Sequence, residues 1–357
     1  MRMRSSSGSR RGLAVLAVLG AASVFILVPT AAQADTSFYD SPIFGATTAG
    51  STLLVADTGQ GIVNGDTGVL VASLPGVTDV AARSGGGLWA LRSGEDVLAD
   101  TGQSLWRVGS GGSTTLVVNL FRYEEKFNPH PEAVDSNPFD VADAGGGKAV
   151  VADAGGNSVL LVGDGNSPNS DVASRVKLIA TLPDELVSTA NAKAIFGCPA
   201  GPPDICGLPP MIPAQAVATS VAIGPDGAYY VGELKGFPAP TGESRVWRIE
   251  PGTRNARCGT SKKCSVVLDG LTSVIDLAFG PDGRLNVAQI DDASWLAMEI
   301  GAGVGGSVRA CNLQTKACST LVDEVPILTT ITYRGNALWG STQALIPGLA
   351  DVIQLAP

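Results

Sequence analysis

From residue 35 onward the chain alternates between short β-rich apolar runs and clusters of glycine, proline and aspartate, and the runs repeat in a fixed grammar. The clearest copy is Ser220-Val-Ala-Ile-Gly-Pro-Asp-Gly-Ala-Tyr-Tyr-Val-Gly-Glu233, then Arg245-Val-Trp-Arg-Ile-Glu250, then Ser265-Val-Val-Leu268. It reads as strand A, tight turn, strand B, loop, strand C, turn, strand D. The Gly-Pro-Asp-Gly turn at 224–227 returns at 280–283, a period of 56 residues, with proline and glycine supplying the turn dihedrals. Asp79-Val-Ala-Ala and Asp140-Val-Ala-Asp open two further copies, which turn at 85–87 and 145–147. An earlier copy lies around Leu53-Leu-Val-Ala-Asp57, and a last one runs from Ile331 to Leu355.

Six four-stranded units of this size predict an all-β, six-bladed β-propeller. A β-helix has shorter repeats, and a two-sheet sandwich needs no six copies of one unit. The last copy ends after strand C. Residues 36–39 are therefore expected to supply its outer strand and close the ring, removing an exposed edge.

Residues 1–34 have a different character: Arg2, Arg4, Arg10 and Arg11, then an apolar run from Gly12 to Val28, then Ala32-Gln33-Ala34. This predicts an export signal cleaved before Asp35, leaving one domain over 35–357. Ser9-Arg10-Arg11-Gly12-Leu13 loosely resembles a twin-arginine signal. The mature protein is expected to be secreted, extracellular and monomeric, with no membrane attachment. Losing the four arginines leaves 20 basic against 33 acidic residues, a surface that repels nucleic acid and anionic lipid.

All six cysteines lie in the exported part, as Cys198 with Cys206, Cys258 with Cys264, and Cys311 with Cys318. An even number outside the cell predicts disulfides. Zinc is the alternative, but the spacings are unequal and the single histidine, His130, is remote in sequence.

In a propeller, strand A begins on the face where the loop after strand B emerges. That face also receives the insertions 121–137, 186–215 and 235–244. The same register places Asp79, Asp140, Ser220 and Asp276 at strand A starts, and Asp57, Asp153, Glu233 and Gln289 at strand B ends. Converging carboxylates suit a hard cation such as calcium or magnesium, with Asp140 and Asp276 as ligands. Asp79, Asp140, Ser220, Glu233 and Asp276 form a candidate ligand-binding set. The competing reading is that each aspartate accepts backbone N–H groups of its own loop, as expected for Asp57 and Asp153. No serine sits in a nucleophile elbow and the glycine runs have no phosphate-loop context, so no catalytic residue is assigned.

Asp135-Ser-Asn-Pro-Phe-Asp140, Val151-Ala-Asp-Ala-Gly-Gly-Asn157 and Pro213-Ala-Gln-Ala-Val217 running on to Pro238 resemble the ScyD/ScyE family of secreted, NHL-like propellers. The resemblance covers the mature chain and implies the fold and export, but no established reaction. Strand B departs from the family's usual Val-Ala-Glu or Val-Ala-Asp ending at Ala90-Leu-Arg92 and Gly340-Ser-Thr342, against a symmetric ligand ring. Two functions are expected from this sequence: a non-catalytic binding propeller for an extracellular ligand, or a metal-dependent hydrolase or lyase working at the channel mouth.

Overall fold

The repeated turns close as their residues require. Gly227 and Gly283 adopt φ of +75° and +77°, a region open to glycine and strained for other residues. Asp226 Oδ1 accepts the Ala228 N–H at 3.1 Å. In a computed structural model, residues 38–357 are described apart from 40–41, 95–96, 98, 100, 132–133 and 166–170. The export signal expected over 1–34 lies outside the described residues.

The first blade is β1 (Ile43–Ala49), β2 (Thr52–Asp57), β3 (Gly61–Asn64) and β4 (Leu70–Ser73). The second is β5 (Val77–Ala82), β6 (Leu88–Arg92), β7 (Ser104–Val108) and β8 (Thr114–Asn119), followed by helix α1 (Phe121–Phe127). The third is β9 (Pro138–Gly145), β10 (Lys148–Asp153), β11 (Ser158–Gly163) and β12 (Val176–Thr181), with α2 (Val172–Arg175) before its last strand. An insertion then carries a hairpin, β13 (Glu185–Ser188) with β14 (Met211–Ala214), and the short helices α3 (Ala190–Ile195) and α4 (Pro203–Cys206).

The fourth blade is β15 (Ala218–Ile223), β16 (Tyr229–Glu233), β17 (Ser244–Ile249) and β19 (Cys264–Leu271). Between its last two strands, β18 (Ala256–Arg257) crosses to pair in parallel with β12 of the third blade. The fifth is β20 (Val274–Phe279), β21 (Leu285–Gln289), β22 (Gly306–Asn312) and β23 (Ala317–Val325), with α5 (Trp295–Glu299) in its B–C loop. The sixth is β24 (Ile331–Arg334), β25 (Ala337–Thr342) and β26 (Asp351–Ala356). Each sheet is an antiparallel meander apart from the β18 crossing, so the fold is a six-bladed β-propeller.

Closure by an N-terminal strand is not confirmed. Thr36 and Ser37 lie outside the described residues, and Phe38 and Tyr39 pair in no sheet, leaving the sixth blade three-stranded among the described residues. Tyr39 is nonetheless buried, in an apolar cluster with Ile43 and Val55 of the first blade and Val352 of the sixth.

The core lies between blades. Val150, Leu161 and Ile179 of the third face Val221, Val231 and Trp247 of the fourth, and comparable clusters fill the other seams. A smaller cluster lies over the loops, where α3, Phe237, Ala239, Trp295 and Leu296 pack together. All three expected disulfides are present. Cys258–Cys264 closes a separation of only 6 residues, so its chain-entropy contribution is about 2 kcal/mol. Replacing both cysteines by serine should lower the unfolding free energy in urea by about that amount and leave the far-ultraviolet dichroism unchanged. A collapse of the β spectrum would instead make this loop essential to the ring.

Candidate functional site

The innermost strand of every blade is an edge strand, with one row of backbone N–H and C=O groups unpaired by its own sheet. A β-bulge recurs near the start of that strand in the first five blades, between Ile43 and Gly45, Val77 and Asp79, Pro138 and Asp140, Ala218 and Ser220, and Val274 and Asp276. A bulge re-aims the side chain beside it, and here that side chain is Asp79, Asp140, Ser220 or Asp276.

Three of these carboxyls reach the next blade's backbone. Asp79 Oδ2 accepts from Val141 N at 2.8 Å, Asp140 Oδ2 from Val221 N at 2.5 Å, and Asp276 Oδ2 from Ile331 N at 2.6 Å. Hydroxyls cross the remaining seams. Thr219 Oγ1 donates to Val274 O at 2.7 Å, Thr330 Oγ1 accepts from Ala46 N at 3.1 Å, and Thr47 Oγ1 accepts from Ala82 N at 3.4 Å. Side chains therefore tie the inner strands to one another at all six seams. The aspartates were expected to hold a ligand or cap their own loops; one oxygen of each accepts from the neighbouring blade.

The carboxyls are also close to one another. Burial pushes Asp79 well above the usual carboxylate range, and the nearby Asp140 carboxylate adds to the effect. Asp276 is likewise driven well up by burial, then by Asp140. Burial raises Asp140 too, opposed by hydrogen bonds from Asp79 and from the Val221 N–H. The direction favours a proton on Asp79, facing Asp140, an arrangement that relieves the repulsion of two adjacent carboxylates. Gly45 completes the arrangement, because a Cβ there would stand 1.9 Å from Asp79 Oδ1. The cavity at the axis has a volume of about 10 Å³, close to the least that holds one water, and is lined by the three aspartates with Phe44, Phe139, Thr219 and Ile275. Ligand pockets commonly run from roughly 300 to 1,000 Å³.

The other expected site residues do not join this ring. The Ser220 hydroxyl is buried over Gly232 and finds no hydrogen-bond partner among the described residues. Glu233 is fully buried, its carboxylate 2.8 Å from Lys235 Nζ and accepting from Trp247 Nε1 at 3.0 Å. Burial raises Glu233, while Lys235 and Trp247 oppose the rise. Lys235 Nζ also meets Glu185 Oε2 at 2.8 Å, and Arg245 pairs with the same carboxylate. Burial pushes Glu185 up, but the two cations outweigh it and hold it low. This charged knot fastens the β13–β14 insertion to the fourth blade. Asp57 accepts from Gly59 N, and Asp153 from Gly156 N, Asn137 N and Ser136 Oγ, as loop-organising aspartates do. Gln289 accepts from Thr272 N at 2.8 Å. His130 Nε2 lies 3.4 Å from Asp184 Oδ1 and does not line the central space.

Sequence reasoning missed Lys235, whose basic charge two residues beyond Glu233 was the available signal. It also missed the fifth-blade α5, whose Ser294-Trp295-Leu296 fits no strand. Among the described residues, no group of three or more His, Cys, Asp or Glu is arranged to hold a metal ion. Asp140 and Asp276, expected as metal ligands, each direct an oxygen at a backbone N–H.

The fold and ring define a six-bladed propeller with a narrow, acid-lined axis. The chain is similar over 90% of its length to the PQQ-bound aldose sugar dehydrogenase from Streptomyces coelicolor, covering 96% of that chain at 14% identity and a TM-score of 0.52. It is similar to a luciferin-regenerating enzyme over 90% of this chain and 92% of that one, at 10% identity and a TM-score of 0.50. A gluconolactonase from Xanthomonas campestris aligns over 90% and 89% of the two chains, at 12% identity and a TM-score of 0.48. At these identities the likeness is one of fold. No protein-family model matches the chain, and no curated protein does.

The raised carboxyls make a signed prediction. They hold protons in the folded state that the unfolded chain releases near pH 4, so their stabilising contribution is full in acid and is lost as pH rises through the folded values. Asp79→Asn keeps an acceptor for Val141 and a donor for Asp140 without a titrating proton. Urea midpoints should show its stability falling less steeply than wild type from about pH 4 upward. Parallel profiles would mean that Asp79 ionises normally.

Proposed function

We propose that this protein is a secreted, non-catalytic binding propeller of the ScyD/ScyE type, with its ligand docking on the loop-bearing face. The observation that carries this reading is the engagement of the ring: Asp79, Asp140 and Asp276 each serve a neighbouring blade's backbone around a cavity of about 10 Å³. Carboxyls so committed have little freedom for acid–base work, and an organic substrate has little room beside them. The loop face is, by contrast, a built surface. It is fastened by the Lys235 knot, by the Asn191 amide donating to Ala239 O at 2.7 Å, and by the Cys198–Cys206 disulfide. Ser220 and Glu233, both fully buried, would support that surface from below. Three disulfides suit an oxidising compartment, and no helix among the described residues is long and apolar enough to cross a membrane.

The convergence of three acids favours a second reading, a calcium- or magnesium-dependent hydrolase or lyase with Asp140 and Asp276 as ligands. A turnover assay separates the two. Mature protein, chelated and then supplied with calcium or magnesium, should leave lactone and ester panels at the buffer rate. Saturable turnover that disappears in Asp276→Asn would replace the binding reading with the enzymatic one.

A further inference from the structure

The charged knot beneath the loop face is built unlike an ordinary ion pair. Glu233 ends β16, and Lys235 follows two residues on with a backbone φ of +65°. Both side chains are fully buried. Lys235 Nζ stands 2.8 Å from Glu233 Oε1 and 2.8 Å from Oε2 of Glu185, which opens β13. The two contacts differ in kind. Nζ donates a hydrogen bond to Glu185 Oε2, whereas Glu233 Oε1, at the same distance, has no hydrogen-bond partner among the described residues. The amine therefore rests against the Glu233 carboxyl without being aligned on its oxygen. A buried ion pair is costly, and an unsatisfied buried oxygen adds to that cost.

The two carboxyls are also set in opposite directions. Burial pushes Glu233 up, against the opposition of Lys235 and Trp247. Burial would raise Glu185 as well, but Lys235 and Arg245 outweigh it and hold that group low. Trp247 Nε1 donates to Glu233 Oε2 at 3.0 Å, which leaves Oε1 to carry a proton. A neutral acid, an amine and a carboxylate base thus stand in contact, with an N–H donor on the acid's other oxygen. A lysine nucleophile beside a base, with a donor placed for the developing oxyanion, is the arrangement that acyl transfer requires.

We propose that Lys235 and Glu233 condense after folding into a side-chain isopeptide bond, with Glu185 as the base and Trp247 as the oxyanion donor. Glu185 takes one proton from the Lys235 ammonium, and the freed lone pair forms the bond from Nζ to Glu233 Cδ. Negative charge gathers on Oε2, where the Trp247 N–H meets it. The bond from Cδ to Oε1 then breaks. Oε1 departs as water with the proton it carried and a second proton from Nζ, and the amide nitrogen keeps the third. Glu185, partly exposed, returns its proton to solvent. No oxidant, metal or other reactant is needed. The product is a neutral amide in place of a buried ion pair, and Lys235 and Glu233 expose no surface through which water could reverse the step. The bond would lock the turn from which the 235–244 loop departs, and it does not depend on the reading of the central ring.

Tryptic mapping of the folded, mature protein, reduced and alkylated after denaturation, tests this. Trypsin does not cleave after an acylated lysine, so wild type is expected to give one peptide spanning 194–245, lighter than its sequence by one water. Glu185→Gln, which keeps both bonding partners, should be cleaved after Lys235 and show full mass. Lys235→Arg should likewise yield separate peptides 194–235 and 236–245 at full mass. The bond itself is read on wild type, so a variant that fails to fold does not protect the proposal. Cleavage after Lys235 with full mass in folded wild type would overturn it. So would a water loss that persists in Lys235→Arg, or a cross-link from Lys235 to the peptide that carries Glu185.

Discussion

Six inner edge strands meet around an axis too narrow to admit another strand, and their unpaired backbone groups must be satisfied there. In an ordinary sheet an edge is covered, charged or bulged away. Here each edge is served by a short side chain from the blade beside it: Asp79 for Val141, Asp140 for Val221, Asp276 for Ile331, and threonines at the other seams. The recurrent bulge aims these side chains sideways. Inter-blade apolar clusters supply the bulk of the packing, and the ring of polar ties gives the seams their register.

Using carboxyls for this purpose has an electrostatic consequence. An acceptor for one N–H could be supplied by serine or threonine, as at Thr330, but three aspartates in one buried ring repel when ionised. Burial and the neighbouring Asp140 charge push Asp79 upward, which favours a proton between the two.

Much of the architecture was legible in the chain. Gly-Pro-Asp-Gly at 224–227 and 280–283 marks the A–B turns, and its recurrence fixes the blade length. The close cysteine pairs were readable as disulfides from their spacing of six to eight residues, although only Cys311–Cys318 staples a hairpin. The starts of strand A were also legible, so Asp79, Asp140 and Asp276 could be placed together at the axis. Their task was not. A bulge that turns a carboxyl toward the next blade depends on the angle between blades, and no single repeat contains that information. The same limit hid Lys235 and Glu185, 50 residues apart in sequence, as partners. Tyr39 illustrates a half-success, since it packs against the sixth blade without pairing in its sheet.

The most direct measurement is the unfolding free energy of Asp140→Ala and Asp140→Asn, each in excess chelator and again in calcium. If Asp140 serves the Val221 N–H, alanine costs about 1–3 kcal/mol by leaving a buried donor unpaired, asparagine recovers most of it, and both differences are the same with and without calcium. If alanine is harmless in chelator and costly only in calcium, the aspartate ring is a cation site, and the blades are not joined through their carboxyls.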